Sequence, residues 1–166
     1  MLYNQGRYDE AFDHCSRAIE AKSDYAEAYS NRGLVRAKRG DRDGAAEDHR
    51  LALSIRPDYP EAHNNLGILL YEDGKTEEAM QQYEAALRLR PTFSQALNNL
   101  ALALIQAGEM EKAEESLKQA LEISPDYVDA HLSYAKLLSA AGRPEEAREH
   151  YDKALQIAPE PPSADA

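Results

Sequence analysis

Asparagine stands at residues 31, 65 and 99, so the same side chain returns every 34 residues. Its amide carries both a donor and an acceptor, the two functions a peptide backbone also presents, and an amide repeated at a fixed interval suits the holding of an extended chain whatever its sequence. Asn64 and Asn98 precede the second and third of these, and the same interval relates the apolar residues Leu34, Ile68 and Leu102, and also Tyr71 and Ile105. Other chemistry is thinly supplied. None of His14, His49, His63, His131 and His150 forms a metal-ligand spacing with a second His or a Cys on one helix face. His63 and His131 share a register but stand two intervals apart, too far to share an ion, and read as packing residues. Glu77-Glu78, Glu114-Glu115 and Glu145-Glu146 sit where helices begin and favour the helix dipole, so they are solvated faces and not acid-base dyads. No nucleophile elbow, phosphate-binding glycine loop or dinucleotide fingerprint is present. The expectation is no catalytic residue, no metal and no cofactor.

The elements that would position the asparagines are legible in the stretch from Pro60 to Phe93. Residues 61 to 72 carry Ala62, Leu66, Gly67, Ile68, Leu69, Leu70 and Tyr71, a pattern for a helix buried on more than one side. Gly74 supplies a left-handed stop, Thr76 with Glu77 and Glu78 offers a cap and favourable charges for a second helix, and Pro91 ends it. The unit is a helical hairpin of 34 residues.

Shifted by that length, the turn glycine recurs as Gly6, Gly40, Gly74, Gly108 and Gly142. Two alanine columns run Ala11, Ala45, Ala79, Ala113, Ala147 and Ala18, Ala52, Ala86, Ala120, Ala154, where small residues let helices approach closely. Gly33, Gly67, Ala101 and Ala135 are expected to face the first alanine column, with Ile19, Leu53, Leu87, Leu121 and Leu155 filling the space around it. Ser23, Pro57, Pro91, Pro125 and Pro159 mark helix ends, followed by Tyr25, Tyr59, Phe93 and Tyr127. Asp24 with Glu27, Asp58 with Glu61, and Thr92 with Gln95 have capping-box spacing, and Asp126 with Asp129 is a weaker version. Cys15 falls in the column of His49, Tyr83, Leu117 and Tyr151 and reads as a packing residue.

These columns, over residues 2 to 159, resemble the tetratricopeptide repeat family. The resemblance implies an all-α fold, a solenoid of antiparallel helical hairpins in a right-handed superhelical arc. It divides a single domain, residues 1–161, into a partial repeat 1–25 and complete repeats 26–59, 60–93, 94–127 and 128–161, with 162–166 a disordered tail. It also implies that first helices line a concave groove, which makes Asn31, Asn65 and Asn99 a ladder beside Asn64 and Asn98, with Leu34, Ile68, Leu102, Tyr71 and Ile105 as apolar receivers. Asn64-Asn65-Leu66-Gly67 and Asn98-Asn99-Leu100-Ala101 resemble repeats of the O-GlcNAc transferase type. A structural role, satisfying local hydrogen bonds, is the other reading of these asparagines. The co-chaperone clamp for acidic tails is not carried, because Ser30, Leu34, Gln95 and Asn99 stand where it wants other residues. Arg32, where later repeats have Leu66, Leu100 and Tyr134, resembles a variant in which this arginine pairs with an aspartate of the second helix, here Asp48. Arg36, in the column of Leu70, Leu104 and Leu138, has no explanation at this level.

The partner class follows by exclusion. A formal charge of −11 argues against nucleic acid or an anionic membrane, and no apolar run is long enough to span a bilayer. What remains is a protein-interaction scaffold whose partner is another protein or peptide of unknown identity. Two alternatives stand beside it: a building block that stacks end to end into a homo-oligomer through uncapped ends, and the substrate-recognition part of a larger enzyme such as a glycosyltransferase. The absence of a secretory signal and a single thiol make the cytoplasm the default location.

Overall fold

The computed structural model describes residues 7–158, so Gly6, Pro159 and the expected tail at 162–166 lie outside the described residues. Among these residues the secondary structure is entirely helical: α1 Tyr8–Ala21, α2 Ala26–Lys38, α3 Arg42–Ile55, α4 Pro60–Glu72, α5 Thr76–Leu89, α6 Ser94–Gln106, α7 Met110–Ile123, α8 Val128–Ala140 and α9 Pro144–Ile157. The contacts divide the chain into two compact units, Met1–Leu89 with α1 to α5 and Arg90–Ala166 with α6 to α9.

In the first unit α2 pairs with α3 and α4 with α5; in the second, α6 pairs with α7 and α8 with α9. Each hairpin turns on a glycine of positive φ: Gly40 at 83°, Gly74 at 76°, Gly108 at 81° and Gly142 at 73°. The residue after each glycine closes the turn with a backbone bond five residues back, as in Asp41 N–H to Arg36 carbonyl and Lys75 N–H to Leu70 carbonyl, both 2.9 Å. This bond satisfies a helix-terminal carbonyl and requires the left-handed residue that only glycine adopts cheaply.

The alanine columns sit in the packed interior: Ala45, Ala52, Ala79, Ala86, Ala113 and Ala120 are all 0% exposed. The column facing them is shifted from the expectation. A Cβ at Gly67 would lie 2.6 Å from the ring of Tyr83, and one at Gly33 would meet His49 at 3.0 Å as well as the Ala45 carbonyl at 3.1 Å. The glycines therefore make room for the ring-bearing column of His49 and Tyr83 more than for alanine. In the first unit Leu53, Ile55 and Tyr59 pack on Ala26, Ala52 and Ala62. The same positions of α9, Leu155 and Ile157, are 59% and 37% exposed, so the column does not fill space uniformly.

The capping boxes do not form. Tyr25, Tyr59, Phe93 and Tyr127 occupy the N-cap positions of α2, α4, α6 and α8, and none has a side-chain cap bond. The polar residue falls one position too early because the aromatic is drawn into the junction between hairpins, as Tyr59 shows. Thr76 is likewise not a cap: it begins α5, buried, and the Lys75 carbonyl accepts from Ala79 N–H at 2.9 Å. Asp41 does cap α3, accepting from Gly44 N–H at 3.0 Å.

Candidate functional site

In the first unit α2 and α4 present their third and fourth turns to a common cleft of about 270 Å³, lined by Leu34, Ala37, Ile68 and Leu69, with Asn65 on its wall, His49 at its base and Lys38, Arg42 and Glu72 at one end. Asn65, Leu34 and Ile68, three of the residues singled out by spacing, thus meet at one place. Asn31 is exposed on α2, and Tyr71 is half-buried near the end of α4. In the second unit Asn99, Leu102 and Ile105 are half-buried on α6.

Asn64 and Asn98 are placed differently from the expectation, each buried at 4% exposure. The cause is geometric: one residue is a step of about 100° around a helix. That step puts the first asparagine of each pair inside and leaves the second partly exposed.

The cleft is held from its polar end. Arg42, in the first turn of α3, donates to the Leu69 carbonyl at 3.1 Å and to Asp73 at 2.8 Å, and it also pairs with Glu72 at the end of α4. The Leu69 carbonyl, which already accepts from Asp73 N–H at 3.0 Å, thereby takes a second donor, and a cation is placed against the negative end of the helix dipole. His49 beneath the cleft is 1% exposed, and burial pushes its imidazole down to about 4, against a smaller upward pull from Asp48. The base of the cleft is therefore uncharged at neutral pH.

Beside it lies the Arg32–Asp48 contact. Arg32 Nε donates to Asp48 Oδ2 at 2.9 Å and Nη2 to Oδ1 at 2.7 Å, a two-pronged pair on a carboxylate that is 0% exposed. The bonded carboxylate raises the Arg32 guanidinium above its usual range. Arg36, unexplained by sequence, reaches the same carboxylate at 3.3 Å and donates to the Gly44 carbonyl at 2.9 Å. Arg32 and Arg36 are four residues apart on α2 and share a face, a signal that the pairing with Asp48 makes readable. The ring of Phe12 on α1 lies 6.0 Å and 5.9 Å from these two guanidiniums and 4.9 Å from that of Arg39. Cys15, half-buried in α1, is raised by burial, which does not favour a reactive thiolate.

The second unit carries two polar clusters that spacing along single helices does not reveal. Glu114 on α7 accepts from Tyr134 Oη at 2.9 Å and from Arg143 at 3.0 Å and pairs with Lys118 at 2.8 Å; the Lys118 bond, then those from Arg143 and Tyr134, hold its carboxyl down at about 2. Across α8 and α9, His131 Nδ1 lies 2.8 Å from His150 Nδ1, and His131 Nε2 lies 2.8 Å from the Pro125 carbonyl. In the first unit His63 has a parallel setting, with Nδ1 2.9 Å from Gln82 and Nε2 3.0 Å from the Pro57 carbonyl. Among the described residues no group of three or more His, Cys, Asp or Glu side chains could hold a metal ion, and no helix is long and apolar enough to cross a membrane.

Models described as tetratricopeptide repeat match residues 24–92, 64–128 and 104–166, and one described as TPR repeat matches residues 1–40. No curated protein matches the chain. Among solved structures, TTC0263, a thermophilic TPR protein of Thermus thermophilus, is 30% identical with a TM-score of 0.81, over 96% of this chain and 87% of that one. PilF of Pseudomonas aeruginosa is 26% identical with a TM-score of 0.86, over 94% and 71%. YrrB, described as a TPR protein with an unusual peptide-binding site, is 22% identical with a TM-score of 0.73, over 96% and 82%.

Proposed function

Because the chain belongs to the tetratricopeptide repeat family, matched by its models in overlapping segments from residue 1 to 166, we propose that it is a non-enzymatic interaction scaffold that holds an extended segment of another protein against the first helices of its hairpins. The observation that carries this reading is the cleft between α2 and α4. Leu34 and Ile68 give it apolar walls, and its volume of about 270 Å³ suits a side chain more than a cofactor. Asn65 stands where an amide can bond the backbone of the segment that delivers that side chain. Asn31 on the same unit and Asn99 on α6 extend the same chemistry. The peptide-binding site named for YrrB is consistent with this use of the fold.

The test is a broad peptide array probed with the native chain and with the triple variant Asn31→Ala, Asn65→Ala, Asn99→Ala, after circular dichroism has established equal helicity. Binding of segments with aliphatic residues by the native chain, lost or at least tenfold weaker in the variant, is the expected result. Equal binding by both proteins would make the asparagines structural. Self-association is the competing reading, favoured by the 59% exposure of Leu155 on α9, and light scattering of the same two samples over a concentration series reads it directly.

A further inference from the structure

The contact between α8 and α9 has an unusual limit on the protons it can hold. A backbone carbonyl only accepts, so His131 Nε2, 2.8 Å from the Pro125 carbonyl, must carry a hydrogen. When His131 is neutral its Nδ1 is then a lone pair. His150 Nδ1 faces that lone pair at 2.8 Å and must be the donor. The neutral pair therefore has one arrangement: His150 donates to His131, which donates to Pro125. One added proton fits, on His150 Nε2 or by transfer across the shared bond. A second gives both Nδ1 atoms a hydrogen, and two N–H groups then point at each other across 2.8 Å between two cations.

We propose that His131 and His150 form a one-proton latch between α8 and α9, closed while the pair carries at most one added proton and opened by the second. The chain contains its own control. His63 stands in the column of His131 and bonds a proline carbonyl in the same way, but its partner is Gln82. A carboxamide offers an acceptor at one end and a donor at the other, so it serves His63 in either protonation state; His150 can do the same for His131 only while it is itself neutral, because an imidazolium has two donors and no acceptor.

The surroundings of His150 oppose its protonation as well. His131 is 4% exposed, and His150 lies under the Tyr134 ring with centroids 4.5 Å apart. Burial is the largest cause that holds the His150 imidazole below its usual range, followed by His131 and Lys153; Glu149 and Glu146 oppose them. From α8 the facing groups are His131 and Tyr134, from α7 Glu114 and Lys118 reach the Tyr134 hydroxyl region, and from the α7–α8 connection Asp126 lines the same cavity of about 370 Å³. None of these acids bonds either imidazole among the described contacts, so the second proton meets only the through-space pull of Glu149 and Glu146.

The first measurement is the imidazole nitrogen NMR spectrum of the whole chain during a titration from pH 8 to 4. At the alkaline end His131 should be protonated at Nε2 alone and His150 at Nδ1 alone. On acidification the pair should take up one proton, and the second should enter only together with loss of amide protection in α9. His150→Gln, which copies the His63–Gln82 pair, should keep the fold and flatten the acid decline of the folding constant, by roughly tenfold for each pH unit by which uptake was depressed. The proposal fails if both rings become imidazolium while α9 keeps its protection, or if the variant follows the native pH profile.

Discussion

The α2–α3 and α8–α9 hairpins use the same two columns for opposite chemistry. At the first, Arg32 meets Asp48; at the second, Tyr134 meets His150, and His131 joins them. The intervening hairpins have Leu66 with Gln82 and Leu100 with Ser116 at these positions, so nothing in the repeat demands a polar contact there. Arg32–Asp48 is an ion pair, whereas the bond pattern of the histidine pair depends on its proton count. Corresponding positions thus give one hairpin closed by charge and another by tautomer.

Breaking the charged pair has the largest expected effect. Asp48→Asn leaves two guanidiniums facing a buried neutral amide and should cost about 3–5 kcal/mol in urea unfolding. Arg32→Leu should fall at the low end of that range, because Arg36 remains 3.3 Å from the carboxylate. The double variant Arg32→Leu, Asp48→Gln copies Leu66 with Gln82 and should recover most of the loss; no recovery would mean the charges do more than match each other.

Acid sharpens the comparison at intermediate size. His49 titrates near 6.5 when unfolded and near 4 in the fold, so the unfolded chain binds more protons between these values. Its contribution is complete above pH 6.5 and is lost as pH falls toward 4, up to about 3 kcal/mol. His49→Leu, which copies Leu117, should remove that part of the acid decline in a pH series of urea midpoints, leaving the part assigned to His150.

The smallest effect is expected at Glu114. Its carboxyl, held down at about 2, contributes above pH 4.5 and loses that contribution as pH falls toward 2. Because Glu114 and Arg143 are 21% and 35% exposed, Glu114→Gln should cost less than about 1 kcal/mol at neutral pH and less again in high salt, as thermal melts at two salt concentrations would read.

The hairpins are legible in the sequence because each turn depends on one local requirement, a residue at positive φ, which Gly40, Gly74, Gly108 and Gly142 meet. The helix starts are not, for the opposite reason. Asp58 and Glu61 have the spacing of a local cap, but Tyr59 is placed by packing between hairpins, which spacing does not encode. Of the candidate site, Asn65, Leu34 and Ile68 are found together, whereas Asn64 and Asn98 turn inward because a periodicity of 34 fixes a column and not its facing. His131 and His150 escape a search for ligand spacing along one helix, because they are 19 residues apart across a turn.

The three-way grip of Arg42 on the end of α4 bears on how fast a partner could arrive and leave. Arg42 lines the α2–α4 cleft while its guanidinium is fastened to the Leu69 carbonyl, Asp73 and Glu72, so widening the cleft at that end breaks several bonds at once. A recess with one end pinned does not wait to be shaped by its occupant. If the proposed segment docks there, the entropy lost would fall mostly on that segment, and stiffening it is the change to which residence time would respond most.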